Sequence, residues 1–293
     1  MVKLRSSLVI AVLLGLLLSF SSSFSSLGIT QAQQSLRLRG NRWLMISNLT
    51  GFVEIVPREG GRRRATRGDR LDMAGDLLIT GPSSTARLDI DQAAGFITMA
   101  ENSRLQVQTL SITGNGGYIT EVFVTQGQAR LRLRSLTNPA SRIEIYTPAG
   151  VSGVRGTDFG VAVGPDGQTG VATLEGSVSS SAQGQTVMVN AQQQSIIRPG
   201  EPPTPPEPLR DDPSLYVQVL RILPGQIDAA GRPIVQVAGY TDPVNLLRIN
   251  SKEEKLGRDG QFDVTLPLLR DRTLDALVVT PLGTQQKYEL VLP

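Results

Sequence analysis

Asp158 and Glu175 stand in two short glycine-flanked segments, GTDFG and TLEGS. A carboxylate pair can act as acid and base on a glycosidic bond when a fold holds the two groups a few ångströms apart. Arg155, three residues before Asp158, adds a guanidinium with five donors. It could bind an anion, or tie a corner by pairing with Asp158 or Glu175. Other chemistry is excluded by composition. The chain has no His and no Cys, which removes thiol nucleophiles, Ser/His/Asp triads and metal sites built on imidazole or thiolate. No metal and no cofactor are expected. Aromatic residues make up 4% of the chain, too few to suggest a base-stacking or carbohydrate platform. Carboxylates in β-proteins serve turns and ion pairs more often than catalysis, so the chain is read as non-enzymatic. A carboxylate-dependent hydrolase is the lesser alternative.

Two groups of arginines could form binding surfaces. ARLRLRS places Arg130, Arg132 and Arg134 on one face of a strand and Leu131 and Leu133 on the other. GRRRATRGDR gathers Arg62, Arg63, Arg64, Arg67 and Arg70 in an expected loop, the first four being the candidate binding residues. Each is either a solvated surface or an electropositive patch for an acidic envelope protein or an anionic envelope polymer.

The N-terminus reads as a secretory signal peptide over 1–32. MVKLRSS is basic, LVIAVLLGLLLSF from Leu8 to Phe20 is apolar, and Thr30 and Ala32 are small residues placed for cleavage. The alternative is an uncleaved anchor in the inner membrane. Cleavage at Ala32 leaves no membrane span and places the protein in the periplasm or outside the cell. Losing Lys3 and Arg5 from the 29 basic residues leaves 27 against 26 acidic ones, a net charge of +1. That balance gives nucleic acid binding no support.

Residues 33–198 read as short alternating strands separated by turns such as TGPSS, TGNGG and GPDGQ. An all-β roll, sandwich or solenoid is expected. Gly51, Gly127 and Gly176 each precede an alternating strand, at unequal spacing. Residues 199–212 open with six prolines in ten positions. They are expected to form a semi-rigid spacer that joins no sheet and is open to proteolysis between two separable domains. Residues 213–293 again read as strands.

The first block resembles the FecR-type domain family of bacterial envelope proteins. The resemblance runs over roughly 45–200, from GFVEIV through RGDRLDMAGDLLITGPSSTARLDI to IYTPAGVSGVRGTDFGVAV and VATLEGSVSSS. Thr147, Pro148, Val154, Arg155, Gly156, Thr157, Asp158, Phe159, Glu175 and Gly176 fall on the family pattern. They are read as mainly structural, with Arg155 as a buried staple. The second block resembles a small bacterial Ig-like β-sandwich through Gly239, Thr241, Asn250, Asp259, Gly260 and Phe262. Ser251 stands where that pattern has Gly, so a different turn is expected there. The FecR resemblance implies signalling from an external domain across a membrane helix to a sigma factor. Only seven residues precede Leu8, so no cytoplasmic effector domain is expected. The reading is an exported protein that acts by binding, with a structural envelope or matrix component as the alternative.

Overall fold

The computed structural model describes residues 42–268 and 272–292. The expected signal peptide lies outside the described residues. Among the described residues the secondary structure is strands plus one 3-10 turn at Asp91–Ala93, an all-β fold. Alternation decides it locally. In Thr85–Ile90 the side chains of Ala86, Leu88 and Ile90 are buried, whereas Thr85 and Arg87 are exposed.

Seventeen strands between Leu44 and Pro208 form one hydrogen-bonded sheet. The long strand Tyr118–Leu133 shows how it rolls. Its first half pairs with Arg104–Ile112 and, in parallel, with Arg142–Tyr146. Its second half pairs with Gly95–Met99 and Asp158–Val163. The two halves belong to two layers around a single core. Leu44, Leu88, Ile97, Leu131 and Phe159 come from one layer, and Val53, Leu78, Leu105, Val122 and Ile145 from the other. Each such side chain contributes about 1.5–3 kcal/mol when fully buried.

The three glycines noted in the sequence mark places where the chain crosses between layers. Gly51, Gly127 and Gly176 have φ of +73°, +83° and +81°, a region that side chains with a Cβ avoid. Each also lies against another crossing segment. A Cβ at these positions would come within 2.4 Å of Ser84 Oγ, 2.3 Å of Ser103 Oγ and 2.7 Å of Thr157 Cγ2, respectively. The unequal spacing therefore hides a repeated corner.

The second block holds a three-stranded sheet (Leu215–Ile227, Pro233–Thr241, Gln261–Pro267) and a four-stranded sheet (Lys252–Glu254, Leu246–Ile249, Thr273–Val279, Gln285–Val291). Val235, Val237, Leu247, Phe262, Leu274 and Val278 form its own core. Asn250 and Ser251 both take positive φ, 49° and 66°. Ser251 thus occupies the left-handed turn conformation in which Gly was expected, and the hairpin is kept.

The proline-rich segment departs from expectation, because it does join the sheet. Glu207–Pro208 pairs with Gln193–Gln194, Thr204 N donates to Ile196 O at 2.9 Å, and Leu209 N donates to Gln192 O at 2.9 Å. Proline lacks a donor but keeps its carbonyl, and the residues between the prolines supply the N–H groups; an edge strand tolerates this.

The two blocks also touch directly and belong to one compact unit. Arg248, with 2% of its side chain exposed, donates to Glu101 Oε1 at 2.9 Å and to Glu253 Oε1 at 2.9 Å. It also reaches the Glu101 carbonyl at 2.8 Å. Ala162 of the first block packs with Leu246, Leu277 and Val279 of the second. Gly160 lies so close to the second block that a Cβ there would stand 1.8 Å from Pro281 O.

Candidate functional site

The motif residues separate into groups. Val154 and Phe159 are in the core. Thr147 closes a turn by donating its N–H to Gly150 O at 2.8 Å, with the exposed Pro148 inside that turn. Gly156, Thr157, Asp158, Glu175 and Gly176 instead line an open cavity of about 760 Å³, together with Arg132 and Arg134. The family motif and the arginine strand thus meet at one place.

Register explains why. Asp89 pairs with Phe96, Phe96 with Arg132, Arg132 with Asp158 and Asp158 with Glu175. These five residues form a row across five neighbouring strands, and all of them line the cavity. Side chains at one register level on one sheet face stand about 5 Å apart, so the row is a stripe of mixed charge, with one aromatic ring, one guanidinium and three carboxylates. Arg87 lies over the Phe96 ring at 3.6 Å and pairs with Asp89 at 3.0 Å. Arg87, Asp89 and Phe96 were not singled out in the sequence. Alternation in ARLDI already places Arg87 and Asp89 on one face, but it does not give their register.

The expected Arg155 staple is not formed. Arg155 is exposed, and among the described residues its side chain makes one hydrogen bond, to Asn138 O at 3.3 Å. Asp158 is taken from the other side: Arg130 donates to its two oxygens at 2.7 and 2.8 Å, and Arg132 donates at 3.0 Å. Asp158 in turn holds the Arg130 guanidinium above its ordinary pKa. Arg130 also donates to Leu282 O of the second block at 3.1 Å. The sequence misleads here because Arg155 is adjacent to the corner along the chain, whereas Arg130 and Arg132 are adjacent across the sheet.

Arg134 and Glu175 are exposed and have no ion-pair partner among the described residues. Thr157 Oγ1 is buried and lacks a hydrogen-bond partner. Gly156, with φ +133°, lets the corner pass close to Ser135, whose Cα would lie 2.5 Å from a Cβ.

The other arginine group is largely neutralised and stands apart from this cavity. Arg62 pairs with Glu54, and Arg63 pairs with Asp69 at 2.7 Å. Arg64 reaches Gly51 O at 3.2 Å, and Arg67 is exposed. Arg63 and Arg64 form a short strand where a loop was expected. The hydrogen bond from Arg63, helped by Thr66, pulls the Asp69 carboxyl down to about 2. Among the described residues no cluster of acidic side chains is arranged to hold a metal ion.

The family described as FecR protein matches residues 76–179. This segment is a FecR domain. Every motif residue from Thr147 to Gly176 lies inside it, as do the whole charged row and the cavity around it. A comparison with curated proteins gave no match. Among solved structures, two crystal structures of a candidate anti-sigma factor from Parabacteroides distasonis ATCC 8503, at 1.65 and 2.50 Å resolution, are similar. It shares 13% identity with a TM-score of 0.38, over 45% of this chain and 59% of that one. A polysaccharide lyase, BACCELL_00875, aligns with 10% identity and a TM-score of 0.19, over 85% of this chain and 40% of that one. The chain spans less than two thirds of either protein, and neither likeness carries functional weight at these scores.

Proposed function

We propose that this chain is a non-enzymatic, exported envelope protein in which the FecR domain acts in signalling or sensing by binding a partner at the cavity over VRGTDF. The supporting observation is the convergence of the family motif and the arginine strand on one open site. Arg134 and Glu175 there keep unspent charges while Asp158 is locked between two guanidinium groups. A locked carboxylate leaves no free acid–base pair, which speaks against the hydrolase reading. The second block is proposed to be an Ig-like sandwich that holds the FecR domain rigidly. Its docking through Arg248 also suits a structural envelope component, the second reading.

The test is a pull-down from envelope extract with the parent chain and an Arg134→Ser/Glu175→Gln variant. Both substitutions are on exposed side chains and should leave stability within about 0.5 kcal/mol. The expected result is one partner captured by the parent and lost, or reduced at least about ten-fold, by the variant, the effect of losing a little over 1 kcal/mol of charge-assisted bonding. Equal capture by both proteins would remove the cavity from the function.

A further inference from the structure

The three layer-crossing corners are built alike, and one of them is incomplete. At the first, Phe52 N donates to Ser84 Oγ at 2.8 Å. At the second, Gln128 N donates to Ser103 Oγ at 2.9 Å. In each case the residue after the corner glycine is held by a buried hydroxyl of the segment crossing beside it. At the third corner Thr157 takes that place beside Gly176, but its methyl group faces the glycine, with Cγ2 2.7 Å from where a Cβ would stand. Its hydroxyl bonds to nothing, although Thr157 is 4% exposed. A buried hydroxyl without a partner costs roughly 1–3 kcal/mol, so one that stays unpaired calls for an explanation. Among the three corner hydroxyl residues, Thr157 is the one that lines the large cavity.

We propose, resting on the binding role assigned to this cavity, that the Thr157 hydroxyl is a ligand-binding group, and that the ligand is an extended polypeptide segment carrying both an acidic and a basic side chain. Thr157 Oγ1 and Arg134 take the acidic group. Both line the cavity, and their segments are joined there by the bond from Leu133 N to Thr157 O at 2.9 Å. Glu175, whose strand pairs with Asp158 on the far side, takes the basic group. A uniformly anionic polymer would meet Asp89, Asp158 and Glu175, and a uniformly basic one would meet Arg87, Arg132 and Arg134; a mixed-charge peptide meets each sign with its opposite. The charged row runs across the strands and the site is open, which suits an extended chain.

The test uses a random dodecapeptide library displayed on phage, selected on the full-length mature chain. Synthetic copies of the selected peptides are then titrated against variants. Thr157→Val keeps the shape and removes the hydroxyl. It should melt no lower than the parent, because no bond is lost, and should bind the peptides about ten-fold more weakly or worse. Ser103→Ala, at a completed corner, should melt lower and bind normally. Selected peptides should carry an acidic and a basic residue. If Thr157→Val melts lower and binds normally, the hydroxyl is structural and the inference fails. If Arg134→Ser weakens binding but Thr157→Val does not, the inference fails while the cavity reading stands. If neither variant affects binding, or the library yields no binder, both fail.

Discussion

Replacing Arg248 by Ala should lower the stability of the protein by about 3–5 kcal/mol in denaturant unfolding, the usual cost of removing one partner from a buried ion pair. The guanidinium is almost fully enclosed and serves two carboxylates, Glu101 of the FecR domain and Glu253 of the second block. Its loss leaves Glu253, with 6% of its side chain exposed, desolvated and without its guanidinium, held by the neutral amide of Gln126 at 3.2 Å. Arg248→Lys should recover only part of the loss, because an ammonium cannot reproduce the planar fork that also reaches the Glu101 carbonyl. The two blocks should loosen as well, with faster proteolysis between 199 and 212. A loss below about 1 kcal/mol would mean that the pair is solvated and does not join the blocks.

Within VRGTDF, Gly156→Val should cost roughly 2–5 kcal/mol, combining backbone strain at φ +133° with overpacking against the Ser135 backbone. Neither contact can be relieved by rotating a side chain, since Ser135 Cα and N both lie under 3 Å from the added Cβ. Arg155→Ala should change stability by no more than about 0.5 kcal/mol, because the side chain is exposed and makes one long hydrogen bond. Thermal melts of the two variants side by side check this contrast. Equal losses would restore Arg155 as a staple and contradict the geometry.

Much of the fold was legible in the sequence because a strand with one buried face alternates. ARLDI, RLQVQ and ARLRL each reveal their inward side chains. The corner glycines were visible as residues but not as corners, because a crossing is defined by the segment beside it. Register across strands was hidden for the same reason. The row from Asp89 to Glu175 draws on five strands, and nothing in their separate sequences aligns them. The proline-rich segment was misjudged because composition reports lost donors and not the carbonyls and intervening N–H groups that remain. The contact between Arg248 and Glu101 joins residues 147 positions apart, beyond any local pattern. Thr157 was visible as a motif residue, but only comparison with Ser84 and Ser103 in space shows that its hydroxyl lacks the bond the others make.

The central claim is that a partner sits in the cavity over the FecR motif. A photo-reactive amino acid placed at Ser135, exposed on the cavity wall, tests it most directly. A second protein carries the same group at Met188, which is exposed on a strand of the other layer. After irradiation in envelope extract, the account predicts one discrete cross-linked polypeptide from Ser135, suppressed by Arg134→Ser, and none from Met188. The same polypeptide captured from Met188 and not from Ser135 would contradict it.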